Sequence, residues 1–256
     1  MILADYLEPL AYDIAFWTIG LYDDAAPVEG LGALSGELTN KLGTAAIISL
    51  LAKADVDGYC HNLIRAARAR ERYLARIHEL RAWDDHDFCA GRLAGFFAAC
   101  AAEDFTRARN IATLSAGAFR PGHEYEDDFC YAQTLFNLLA PQRDDVALAA
   151  LLARWESVLK GAPAGRLDVL KAIVVRDPLA FESAFEALLD ERAAEIEKDI
   201  ARGQLEEPPV VAERLVFIEA LALLRIAGRF GFPLEAEYRY CPSLALQSMQ
   251  KPFPGE

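Results

Sequence analysis

Four histidines, His61, His78, His86 and His123, are the only imidazoles in the 256-residue chain, and His86 sits in the run Asp84-Asp85-His86-Asp87. Histidine beside carboxylates is a side-chain set that holds a divalent metal and activates water for hydrolysis. Such a centre also needs a second histidine upstream and a distant aspartate facing the same cavity. Neither His61 nor His78 lies in a matching context, so the run reads as a solvated turn between helices. A second acidic run, His123-Glu124-Tyr125-Glu126-Asp127-Asp128, follows Pro121-Gly122. It could chelate a cation or offer negative charge to a basic partner. Carboxylates at a helix start also favour the macrodipole, which is reason enough for them.

Other catalytic patterns are missing. No GxSxG, GxGxxG or GxxxxGK[ST] occurs, and no helix carries paired ExxH motifs. Cys60 and His61 are adjacent, but neighbours on a helix point about 100° apart and would not engage each other. The five cysteines, Cys60, Cys89, Cys100, Cys130 and Cys241, are odd in number and lack CxxC spacing. They read as small buried hydrophobes in a reducing compartment. The expectation is no catalytic, cofactor or metal site.

Arginine is concentrated between about Asp57 and Trp83, where Arg65, Arg68, Arg70, Arg72, Arg76 and Arg81 lie on one predicted helix. Arg65, Arg68, Arg72 and Arg76 make one stripe. Without interleaved aromatics or lysines this is a poor nucleic-acid surface. Pairing with an acidic helix such as that of Glu186, Asp190, Glu195 and Glu197 explains it better.

Net charge is −13, from 39 acidic and 26 basic residues. That balance disfavours direct binding of nucleic acid or anionic lipid and suits a basic partner. Hydrophobic residues make up 54%, enough to bury a core. The N-terminus, MILADYLEPLAYD, lacks the basic region of a secretory signal. No uncharged run approaches the roughly 18 apolar residues of a membrane span. A cytoplasmic protein is expected.

The elements that would position these residues are helical almost throughout. Phe181, Phe185, Leu188 and Leu189 fall on one stripe. The segment Val211–Phe230 is apolar on nearly every side, predicting one central buried helix that stops at Gly231 and Pro233. Asp177-Pro178 places a capping acceptor before a first-turn proline. Pro121-Gly122 separates two helices, and Pro141 closes another. Residues 23–36, with Pro27, Gly30, Gly32 and Gly36, read as a loop, and 242–256 as a C-terminal tail. Alternation from Leu234 to Tyr240 has strand periodicity, but a lone strand has nothing to pair with. An extended segment packed on helices is expected there.

A weak unit of helix, acidic turn and helix recurs around Asp104, Asp145 and Asp177. Its spacing is too irregular for a strict repeat array. The sequence therefore predicts a single all-α domain over residues 1–256, with antiparallel helix pairs stacked as an irregular α-solenoid, or else a compact helical bundle.

Three C-terminal stretches, RDPLAFESAFEALLDERAAEIE, ERLVFIEALALLRIAGRFGFPLE and YCPSLAL, resemble the immunity protein 49 family (Imm49) of bacterial polymorphic toxin systems. The shared features fall at Arg176, Asp177, Phe181, Leu188, the run Ala220 to Ala227, Gly231, and Pro242 to Leu246. HNLIRAARARERYLARI fits the family's arginine-rich helix. The resemblance spans about residues 40–250 and is interrupted by Leu205–Val211, with its two prolines.

The resemblance implies an immunity protein that binds and neutralises a cognate toxin, often a nuclease, without catalysis. The acidic balance points to a basic toxin, and no oligomeric state follows. Turns between helices are the accessible ends of a stack, so Asp84, Asp85, Asp87, Glu124, Glu126, Asp127 and Asp128 are the expected contact residues. The alternatives are a helical-repeat adaptor with a peptide groove, or a metal-dependent hydrolase built around His86.

Overall fold

Four aspartates start helices in the same way. Asp55, Asp104, Asp144 and Asp177 accept hydrogen bonds from backbone amides of the first turn, satisfying donors that the helix itself leaves open. Three of them belong to the acidic turns that recur along the sequence, so much of that recurrence is helix capping. Arg81, Lys160 and Arg176 close helices in left-handed conformations.

The structure, a computed structural model, describes residues 3–203 and 208–254. Among these residues eleven α-helices follow one another: α1 Leu7–Tyr22, α2 Leu31–Lys53, α3 Val56–Leu80, α4 Ala94–Ala101, α5 Phe105–Leu114, α6 Glu126–Leu139, α7 Asp145–Leu159, α8 Gly165–Val175, α9 Pro178–Ala201, α10 Pro208–Leu215 and α11 Ile218–Arg229. Short 3-10 turns occupy Leu3–Tyr6 and Ser243–Leu246. No strand occurs among the described residues, only isolated bridges at Pro121–Glu124 and Tyr238–Cys241.

Chain neighbours pack side by side: α1 on α2, α2 on α3, α4 on α5, α6 on α7 and α8 on α9. Distant elements then close the assembly, because α11 folds back onto α4 and α10 onto α2. These returns make a bundle rather than an open stack. Its core runs through Ile48, Leu63, Tyr73, Phe96, Leu135, Leu170, Phe185 and Leu221. No helix of the described residues is long and apolar enough to cross a membrane.

Four expectations need correction. The loop read as 23–36 ends at Gly30, and α2 begins at Leu31. Glycine here marks close approach, not a loop. A Cβ on Gly32 would stand 2.4 Å from Asp87 Cβ, so only glycine lets the turn after α3 lie on α2. Leu31, Leu38 and Leu42 bury the helix against the core.

The single helix expected over Val211–Phe230 is two. It breaks at Val216–Phe217, where the Phe217 amide donates to the Tyr240 carbonyl at 2.9 Å and Val216 turns inward. The segment before Cys241 is thereby docked on the break, but it is not extended to its end: Arg239-Tyr240 form a turn, with Tyr240 at φ 63° and the Cys241 amide donating to the Tyr238 carbonyl at 3.0 Å.

Arg72 and Arg76 of α3 find their partners outside α9. Arg72 reaches Asp24, Arg76 bonds Glu79 and the Asp24 carbonyl, and Arg68 lies over Phe253. Asp190 of α9 binds Arg239 instead. The segment expected as a tail from residue 242 is held down: Asp57 Oδ1 accepts the amides of Gln250 at 2.7 Å and Lys251 at 3.1 Å. Of the Leu205–Val211 segment, residues 205–207 lie outside the described residues, and the remainder opens α10.

Candidate functional site

Arg70 is an arginine in the core, 5% exposed. It sits on the inward face of α3 and donates to the carbonyls of Asp87 at 3.2 Å and Cys89 at 3.0 Å. These bonds pin the turn from Ala82 to Leu93 onto α3. Gly95 makes room for it, since a Cβ there would stand 2.4 Å from Arg70 Cβ. The pinned turn forms one wall of a cleft of about 590 Å³.

The opposite wall is the face of α2 from Gly32 to Asn40, and the floor comes from α4, α6, α8 and α11. Three side chains join on that floor. Arg166, at the start of α8, binds Glu219 with both ends of its guanidinium, Nε to Oε1 at 2.6 Å and Nη2 to Oε2 at 2.8 Å. The Tyr131 hydroxyl donates to the same Oε1 at 2.9 Å. Burial opposes the Arg166 charge, yet the Glu219 carboxylate outweighs it and raises the guanidinium pKa. Glu219 is 8% exposed, so all its charge is met inside the protein.

Smaller hollows adjoin and share lining residues. One of about 460 Å³ lies between Gly91-Arg92 and the turn Gly122–Tyr125. Others of about 210 and 290 Å³ run past Arg192 and Phe217. Carboxylates outnumber arginines along this surface: Glu37, Asp87, Glu124, Asp127, Asp128, Glu191, Glu195, Glu213 and Glu219 stand against Arg70, Arg92, Arg166 and Arg192. Burial raises the pKa of Glu124, Asp128 and Glu213, because each loses water without a full partner for its charge.

The seven acids expected at the partner surface divide. Asp87, Glu124, Asp127 and Asp128 converge on the cleft and its hollows. Asp87 pairs with Arg92 at 3.1 Å, Glu124 accepts the Gly91 amide at 2.8 Å, and Asp128 is 4.0 Å from Arg166. Asp85 is occupied internally, accepting from the Tyr73 hydroxyl and the Asp87 amide. Glu126 is turned to Arg154, whose guanidinium lies over Phe129. Asp84 is exposed on its turn and lines none of these hollows.

The histidines are scattered. His86 and His123 lie against each other with centroids 5.2 Å apart and their planes tilted by 32°, His78 lies against Trp83 and the Leu114 carbonyl, and His61 bonds the Lys251 carbonyl. No group of three or more His, Cys, Asp or Glu among the described residues could hold a metal ion. All five cysteines are buried and free. Burial pushes the Cys60 thiol up to about 11, and His61 engages the C-terminal segment.

Sequence reasoning missed Arg166, Glu219 and Tyr131. A signal existed for one of them: Glu219 is the lone carboxylate in the apolar run Phe217–Leu224, where a charge needs a partner.

The fold and this surface define an all-helical bundle with a concave, acidic, internally braced face. The immunity protein 49 family (Imm49) matches residues 39–245, and the chain belongs to that family. No curated protein and no solved structure matches it. The matched segment contains the whole cleft except the start of α2, and it leaves out α1.

Proposed function

We propose that this chain is a cytoplasmic immunity protein that binds a cognate bacterial toxin and blocks it by direct contact, without making or breaking bonds. Membership of the immunity protein 49 family carries the reading. The acidic cleft supports it by giving a basic toxin, a nuclease for example, a surface of opposite sign. Asp87, Glu124, Asp127 and Asp128 are the contact residues we assign, with the exposed Asp84 on the turn that precedes Asp87.

The test is co-expression with the toxin domain encoded immediately upstream. Growth should be rescued, and the two purified proteins should elute as one complex whose affinity falls as salt screens opposite charges. If a folded, well-expressed chain neither rescues growth nor binds any toxin domain encoded beside it, the reading is lost.

A peptide-binding scaffold is the second reading, favoured by Asn40, Phe97 and Arg92 along the cleft. Binding of an extended peptide with no effect on toxicity would select it.

A further inference from the structure

α1 is apolar on its outer side as well as its inner one. Leu10, Ile14 and Leu21 are buried against the bundle, while Tyr12, Phe16 and Ile19 stand 71%, 69% and 74% exposed on one outward stripe at i, i+4, i+7. Scattered exposed apolar residues need no explanation, but a contiguous stripe marks an interface. None of the three lines the cleft, and α1 lies outside the segment matched by the family.

We propose that this stripe is a homodimer interface, formed by antiparallel packing of α1 on α1 of a second copy about a two-fold axis between residues 15 and 16. The pattern is self-complementary under that operation. Tyr12 meets Ile19 of the second copy, Phe16 meets the small Ala15, and Ala11 meets Gly20, so large residues face small ones or one another at equal depth. The three large side chains, with exposed Ala11 and Ala15, offer roughly 500 Å² per copy, since an aromatic buries about 150–250 Å². Two copies then remove about 1,000 Å² from water, the lower bound for a specific interface. The same axis brings Glu8 towards Asp23, and each copy carries −13. Added salt therefore tightens this dimer, the opposite of its effect on an acidic cleft holding a basic partner.

The experiment is light scattering coupled to size exclusion, over a wide concentration range and at low and high salt. The wild-type chain dimerises, more strongly at high salt. Phe16→Asp and Ile19→Asp each weaken dimerisation by at least about tenfold, with unchanged circular dichroism because both side chains are already solvated. Ala15→Cys gives a covalent dimer with a short bismaleimide, because facing helix axes lie about 8–10 Å apart and the five native cysteines are buried. Val175→Cys, exposed on α8, gives none. A wild-type chain that stays monomeric overturns the proposal. So does a dimer indifferent to both aspartates, or one that Ala15→Cys does not cross-link. The toxin reading stands or falls separately, since Phe16→Asp leaves the cleft intact.

Discussion

Glu219 grips Arg166 through both carboxylate oxygens across 53 residues of chain, fastening the first turn of α8 to the first turn of α11. Arg166→Ala strands the Glu219 carboxylate at 8% exposure with only the Tyr131 hydroxyl for company. The cost is about 2–3 kcal/mol, at the low end for a broken buried pair because Arg166 is itself partly open to water. Thermal unfolding followed by circular dichroism should show a fall of roughly 5–10 °C. Glu219→Gln should cost less, since the amide oxygen still accepts from Tyr131. Arg166→Lys should fall between, having lost the two-pronged geometry.

Gly95→Ala drives a methyl to within 2.4 Å of Arg70 Cβ. Arg70 cannot retreat without dropping the carbonyls of Asp87 and Cys89. Overpacking of this kind costs about 1–3 kcal/mol. The melting temperature should drop by several degrees. Hydrogen exchange should quicken through residues 82–93, the turn that Arg70 secures. Unchanged exchange in that turn would contradict the assigned role.

Burial raises the pKa of the Asp128 carboxyl. A raised folded pKa means the native state binds this proton more tightly than the unfolded chain. That contribution to stability is fully present below the ordinary value of 3.8 and is lost as pH rises through the folded value. At neutral pH the ionised carboxylate therefore works against the fold. Asp128→Asn should melt slightly higher than wild type at pH 7, and the advantage should vanish below pH 3.8. The same substitution should weaken toxin binding several-fold, mainly through the association rate. A variant less stable at pH 7 would refute the stability half.

Asp57 behaves in the opposite sense. The amides of Lys251 and Gln250 bond its carboxylate and lower its pKa. This hold on the C-terminal segment is present above the ordinary value of 3.8 and is released as pH falls through the lower folded value. Asp57→Ala should abolish exchange protection of those two amides while leaving the unfolding midpoint nearly unchanged. Phe253, lodged between Arg68 and His61, should become more solvated at the same time.

The helices were legible because apolar periodicity and capping are local. Asp177-Pro178 and the Gly231-Pro233 stop could be placed without knowing any neighbour. The start of α2 was not legible, because glycine as a loop residue and glycine under a packed aspartate look alike until Asp87 is seen lying on Gly32. The break at Phe217 escaped for a similar reason, its amide being claimed by Tyr240 from further along the chain. For the cleft, the sequence reached the two acidic runs but not how each acid is used. Asp85 and Glu126 have the composition of surface charge, yet Tyr73 and Arg154 claim them. Arg166 and Glu219 could be matched only by the fold.

The cleft draws on α2 at one end of the chain and α11 at the other. Only a fragment reaching from Gly32 to Glu219 contains it. A ribosome that has finished nine helices has built the parts of the floor from α4, α6 and α8 but not Glu219, which completes it, so if this surface is what disarms a toxin, a truncated or half-made copy gives a cell no shelter. Protection would begin only once synthesis has passed the last helix, and a nonsense mutation anywhere upstream of residue 219 would be as harmful as loss of the whole gene.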